Sequence, residues 1–163
     1  GRIEVDSALD RGTTFRIHLP RVSEEEPPVP VADAPVNLQR GTETVLIVED
    51  EPLVRNMVVR ILFEQGYRVL EASNGEEALR VVKSHVGENI HLLLTDLVMP
   101  QMGGKDLAEQ LNTLRPNTKV LLTSGYSNDL VFQNGELGGN VSFIQKPFMP
   151  ADLVAKVQEV LGA

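Results

Sequence analysis

The apolar run HLLLT, residues 91 to 95, ends in a carboxylate, Asp96. Consecutive leucines of this kind describe a strand buried on both faces, so an aspartate directly after them stands where burial gives way to solvent. The arrangement recurs along the chain. TVLIV (44 to 48) is followed by Glu49, Asp50 and Glu51, KVLLT (119 to 123) by Ser124, and SFI (142 to 144), one residue on, by Lys146 and Pro147. Carboxylates brought together repel, and a hard divalent cation with oxygen ligands is the usual compensation. Magnesium suits such a set better than calcium, because it takes one or two carboxylates and keeps waters and phosphate oxygens as its other ligands. Asp96 is then a candidate nucleophile for an aspartyl phosphate. In that scheme Lys146 pairs with the transferred phosphoryl group, Ser124 donates a hydrogen bond to one of its oxygens, and the metal takes up developing charge. Each group also has a plainer reading. Glu49, Asp50 and Glu51 suit a helix N-terminus favoured by the macrodipole, Asp96 a turn ahead of Pro100, Ser124 a strand end, and Lys146-Pro147 a loop start.

The chemistry therefore depends on elements that carry these ends to one edge. From Thr44 onward, apolar runs alternate with helical patterns, as in a parallel sheet with crossover helices. TVLIV is the first strand. EPLVRNMVVRILFEQG places Leu53, Val54, Met57, Val58, Ile61 and Leu62 at spacings of three and four, with Pro52 in the first turn and Gly66 as the C-cap, and so predicts an amphipathic helix. YRVLEA reads as a second strand. SNGEEALRVVKSH reads as a second helix, opened either by Ser73 with Glu76 or by Asn74 with Glu77. HLLLT is the third strand, and KDLAEQLNTL the third helix, with Leu107, Leu111 and Leu114 on one stripe. KVLLT and SFI follow as strands, and PADLVAKVQEVLG as a last helix started by Pro150. Between Ser127 and Asn140 the pattern weakens to a short or frayed helix. Right-handed crossovers wind such units into a doubly wound α/β sheet, whose ligands lie outside the carboxyl ends of the strands where the winding reverses.

Composition bounds the rest. At 163 residues and 42% hydrophobic content the chain can bury the core of one domain. A formal net charge of -8 with no basic stripe argues against a nucleic-acid partner. The absence of cysteine removes disulfides and thiolate metal sites. No apolar run approaches the roughly 20 residues of a membrane span, and no signal peptide opens the chain, so a cytoplasmic location is expected. The chain opens on Gly1 rather than methionine and is expected to be a piece of a longer one. Residues 21 to 43 hold Pro27, Pro28, Pro30, Pro35 and the run Glu24 to Glu26, the composition of an extended linker. His18, His85 and His91 have no metal-ligand spacing and are read as structural or solvated.

VLIVEDEP, LLLTDLVMPQMGG, VLLTSGY and FIQKPF, in that order, resemble the receiver domain of two-component response regulators, over roughly residues 43 to 162. The resemblance implies a flavodoxin-like five-stranded parallel sheet of order 2-1-3-4-5. It also implies Asp96 as phosphoacceptor, Glu49 and Asp50 as the acidic metal pair, and the Val98 backbone carbonyl as a further Mg2+ ligand. Ser124 becomes the switch hydroxyl, Phe143 the rotating aromatic, and Lys146 the phosphate-contacting lysine, with a cis bond expected before Pro147. Glu49 stands where many receivers have aspartate, and Gly103-Gly104 replaces a frequent Asp-Gly, which should loosen that loop.

GRIEVDSALDRGTTFRIHLP, residues 1 to 20, has two alternating stretches around a turn containing Gly12, a hairpin of marginal stability alone. It resembles the very end of a histidine kinase ATP-binding domain, with GTTF matching its last glycine box. A kinase tail (1–20), a linker (21–43) and a receiver (44–163) follow the order of hybrid sensor kinases. With the remainder of the ATP site absent from these residues, this stretch is not expected to bind ATP or phosphorylate a histidine. The implied partner is a histidine kinase transmitter domain, in the same chain or another, or a histidine phosphotransfer protein. Two other functions compete with a phosphoacceptor. One is an interaction module that no longer cycles phosphate. The other is an aspartyl-nucleophile phosphatase, which would usually carry a second aspartate where this chain has Val98.

Overall fold

The computed structural model describes residues 1–20, 41–125 and 141–162. The chain divides into two compact units, Gly1–Pro35 and Val36–Ala163. The proline-rich stretch from 21 to 40 and the weak helical pattern after Ser127 lie outside the described residues.

In the first unit, β1 (Arg2–Ala8) and β2 (Gly12–His18) pair antiparallel, with Ile3 opposite Ile17 and Val5 opposite Phe15. Both strands run beyond the alternating stretches toward the turn, which closes with the Arg11 amide donating to the Ala8 carbonyl at 3.0 Å. Alternation puts Ile3, Val5, Phe15 and Ile17 on one face of the hairpin, and all four are exposed within this unit.

The second unit follows the alternation expected of it. Its elements are β3 (Thr44–Val48), α1 (Pro52–Glu64), β4 (Arg68–Ala72), α2 (Gly75–Ser84), β5 (Leu92–Asp96), α3 (Gly104–Leu114), β6 (Lys119–Ser124), β7 (Val141–Gln145) and α4 (Pro150–Leu161). The five strands are parallel in the order β4-β3-β5-β6-β7, the 2-1-3-4-5 winding that the resemblance implied. Residues alternate across each strand and feed two cores. Val45, Ile47, Leu92, Leu94 and Leu121 pack with Val58 and Leu62 of α1 and Leu153 and Val157 of α4. Leu46, Val48, Leu93, Val120 and Leu122 pack with Ala78 and Val82 of α2 and Leu107, Ala108 and Leu111 of α3. Burying an aliphatic side chain contributes about 1.5–3 kcal/mol, so these two layers are what hold the strand ends in place.

The helices depart from the sequence pattern in detail. On α1, Leu53 and Met57 are exposed rather than part of the buried stripe, because the sheet sees the face of Val54, Val58, Ile61 and Leu62. Leu114 likewise sits exposed at the last turn of α3, while Ala108 is buried in its place. The last position of α1 is capped by Gln65, and Gly66 follows with φ +95°, a conformation glycine adopts at no steric cost. The alternatives at α2 resolve to Asn74 as N-cap, accepting from the Glu77 amide at 2.9 Å, while the Glu77 carboxylate accepts from the Ser73 amide and hydroxyl. Those bonds hold the Glu77 carboxyl below its ordinary pKa. Basic side chains finish two helices, as the dipole favours. Arg115 donates to the carbonyls of His85 and Val82 after α2, and Lys119 to those of Val160 and Leu161 at the end of α4. Packing begins before β3. Gly41 lies so close to the Tyr67 ring that a Cβ would stand 2.1 Å from it, and its amide donates to the Gln65 carbonyl.

Candidate functional site

The winding reverses between β3 and β5, so the crevice beyond their carboxyl ends is where an open α/β sheet binds ligands. Glu49 and Asp50 leave β3, and Asp96 is the last residue of β5. One carboxylate oxygen from each lies within 4.8 Å of the others. Glu51, adjacent in sequence, goes elsewhere. It is the N-cap of α1, its carboxylate accepting from the Leu53 amide at 3.4 Å. The macrodipole reading of the acidic run thus holds for Glu51 alone, and the clustered-carboxylate reading for the other two and Asp96.

Lys146 enters this cluster from the end of β7. Its Nζ donates to Glu49 Oε2 at 2.6 Å and to Asp96 Oδ2 at 2.7 Å, and its backbone amide donates to the Ser124 carbonyl at 2.8 Å. The Lys146-Pro147 bond is cis, as expected. Burial works against the ammonium, but the bonds to Asp96 and Glu49 outweigh it and hold the Lys146 pKa above its ordinary value. Burial pushes the Glu49 carboxyl up as well. Lys146 opposes that shift, and the neighbouring charges of Asp96 and Asp50 add to it. A buried carboxylate that resists ionising beside two others is a group a cation would stabilise. Oxygen-only donors of this kind fit a hard divalent ion such as Mg2+.

The remaining predicted residues are placed around this centre. Asp96 Oδ1 accepts from the Val98 amide at 3.1 Å, so Val98 reaches the site through its N–H, and its side chain is exposed. Ser124 is buried at the end of β6, in a register that sets Thr123 beside Asp96 and Ser124 beside Gln145. Phe143 lies half-buried on β7 against the α2 and α3 core. Contrary to expectation, Gly104 does not loosen the turn after β5. Its amide donates to the Leu97 carbonyl at 3.0 Å, and a Cβ there would stand 2.2 Å from the Asp96 carbonyl oxygen, so α3 starts directly against the strand that bears Asp96. Arg55, on α1, is a contact the sequence patterns do not single out. Its Nη1 donates to the Glu49 carbonyl at 2.7 Å, and only its place one helical turn past the acidic run could have drawn notice.

Among the described residues no helix is long and apolar enough to cross a membrane. The family described as "Response regulator receiver domain" matches residues 45–158. Over 168 aligned residues the chain is 38% identical to the sensor kinase CckA of Brucella abortus, covering 99% of this chain and 18% of that kinase's length. It is 32% identical to the chemotaxis protein CheY of Thermotoga maritima, over 71% of this chain and 95% of that one. The solved receiver domain from the hybrid histidine kinase CckA superposes with a TM-score of 0.62 at 34% identity, covering 72% of this chain and 98% of that one. With a matching sheet order, an acidic cluster at the switch point and a lysine spanning it, the chain belongs to the response regulator receiver family.

Proposed function

We propose that Asp96 accepts a phosphoryl group from a phosphohistidine, and that the resulting acyl phosphate shifts the receiver between two states. An Asp96 carboxylate oxygen attacks phosphorus. The P–O bond forms as the P–N bond breaks, and the imidazole nitrogen keeps the electron pair and takes up a proton. Lys146, now bonded to Asp96 Oδ2, follows the negative charge onto the phosphoryl oxygens, and the Ser124 hydroxyl donates to one of them. Glu49, Asp50, Asp96 and the Val98 carbonyl would hold Mg2+, which when bound supplies charge neutralisation for those oxygens. Ser124 and Phe143 carry the switch by biasing a pre-existing equilibrium. The observation that carries this reading is the junction of Lys146 with Glu49 and Asp96, groups 97 and 50 residues away in sequence, inside one acidic cluster.

The donor is a histidine kinase transmitter domain, in the same chain or another, or a histidine phosphotransfer protein, and the reaction takes place in the cytoplasm. Residues 1–20 are the end of a kinase ATP-binding domain, joined through a linker at 21–43 to the receiver at 44–163. The likeness to a sensor kinase across 99% of this chain supports that arrangement. The test is intact-mass spectrometry after incubation with acetyl phosphate, with and without Mg2+, on wild type and Asp96→Asn. A Mg2+-dependent gain of one phosphoryl group, lost in the variant, is expected. No gain under any condition would favour a phosphorylation-independent interaction module.

A further inference from the structure

The peptide between Glu49 and Asp50 links the two residues that open the acidic cluster. Its nitrogen belongs to Asp50 and its carbonyl to Glu49, so the orientation of this one plane sets where both side chains leave the backbone. On the strand side Glu49 is tied by the ladder, its amide donating to the Ala72 carbonyl at 3.2 Å. Beyond that bond the chain leaves the sheet, and Asp50 is exposed. The Glu49 carbonyl is the last backbone group before the turn into α1.

Arg55 holds that carbonyl. It lies on α1, its own amide donating to the Glu51 carbonyl at 3.0 Å, and its guanidinium folds back so that Nη1 donates to the Glu49 oxygen at 2.7 Å. Its Nε lies 3.8 Å from Glu71 Oε2 on β4, and only 17% of the Arg55 side chain is exposed. The Glu71 carboxylate is 57% exposed, so that pair is worth little by itself. The bond to the carbonyl is short, charge-assisted and shielded. A planar guanidinium can grip one partner on each side, whereas a lysine in its place would offer a point charge.

We propose that Arg55 is a positioning residue for the metal site, acting through the Glu49 carbonyl to hold the Glu49 and Asp50 carboxylates in the arrangement a divalent cation needs. This rests on the assignment of Glu49, Asp50 and Asp96 as the cation ligands. A fixed cation close to the site would by charge alone repel a metal ion, so the two effects of Arg55 have opposite signs. Positioning acts through one hydrogen bond to a charged donor, of the class whose loss changes an equilibrium roughly tenfold or more. Repulsion between the guanidinium and an ion at the cluster acts over a longer distance than that bond and is partly screened where solvent reaches the exposed Asp50. Positioning therefore wins, and removing Arg55 weakens cation binding rather than strengthening it.

Binding of Mn2+, a spectroscopic stand-in for Mg2+, is measured by loss of the free-ion electron paramagnetic resonance signal on the full chain. Wild type, Arg55→Ala, Arg55→Lys and Glu71→Gln are compared, with urea unfolding in EDTA run on each. Arg55→Ala is expected to weaken Mn2+ about tenfold, Arg55→Lys to recover part of the loss, and Glu71→Gln to change affinity by less than about twofold. Unchanged or tighter binding by Arg55→Ala, with a lower unfolding midpoint, would overturn the proposal and leave Arg55 a brace for α1. An equal loss in Glu71→Gln would also overturn it, moving the effect from the carbonyl to the ion pair. If wild type binds no Mn2+ while the Arg55 variants remain folded, the ligand assignment fails, and this inference with it.

Discussion

Lys146 is the side chain on which the site's metal-free state turns. Two carboxylates with little exposure, Glu49 and Asp96, share one ammonium, and removing a partner from such a set leaves like charges facing each other. Lys146→Met is expected to lower stability in EDTA by about 1–3 kcal/mol, less than for a fully buried pair because a fifth of the lysine side chain is exposed. Mg2+ should shrink the deficit, since the ion restores the compensating charge. Because the Lys146 pKa is raised in the folded state, its contribution is complete below the ordinary lysine pKa and is lost as pH climbs through the raised value. Urea melts from pH 8 to pH 11 should therefore show a decline above about pH 10 in wild type that Lys146→Met lacks. An equal decline in both proteins would detach the effect from this residue.

At the scale of elements, the site depends on how closely helices start against strands. Gly104 opens α3 against the carbonyl of Asp96, where a Cβ would stand 2.2 Å from oxygen. Backbone cannot give way as a flexible side chain can, so Gly104→Ala must move α3, or the end of β5, or both. The expected cost is about 1–3 kcal/mol, read from chemical unfolding, with a slower phosphoryl gain by mass spectrometry because Asp96 is displaced. A variant with wild-type stability and uptake would show that the strand end tolerates movement. The same close start makes Gly103-Gly104 a tight junction rather than a slack loop, with the Gly104 amide donating to the Leu97 carbonyl and the Gly103 carbonyl accepting from the Leu107 amide. The N-cap role of Glu51 belongs here too. One acidic residue serves the helix end, which frees its two neighbours for the crevice.

For the whole receiver unit, the proposed ion site would link folding to ion binding. Three carboxylates gathered at the switch point repel one another in the metal-free fold, and an ion bound only by the folded state would offset that repulsion. Unfolding free energy is expected to rise by about 2.7 kcal/mol when Mg2+ stands at roughly 100 times its Kd. Asp50→Asn should lose most of that rise and be at least as stable as wild type in EDTA, since one like charge is gone. Thermal unfolding across a Mg2+ titration measures both, and a Mg2+ response retained in Asp50→Asn would remove Asp50 from the ligand set.

Among the described residues, the order of strands and helices in the receiver and the acid, hydroxyl or ammonium group at four of the five strand ends were legible without coordinates. Period-two and period-three-to-four hydrophobicity are local properties, and leucine runs that stop at a charged residue mark where burial stops. The sheet order came through the family resemblance, because alternation alone does not say which strands are neighbours. Only the tertiary structure decided which apolar residues of α1 face the sheet, since Leu53 and Met57 match the helical spacing as well as Val54 and Val58 do. It alone separated Glu51 from Glu49 and Asp50, and chose Asn74 over Ser73 as the cap. The grip of Arg55 on a carbonyl and the two hydrogen bonds that Lys146 donates to Glu49 and Asp96 were equally beyond the sequence. Such contacts depend on where a side chain points and on what distant backbone folding brings within 3 Å, and one-dimensional spacing encodes neither.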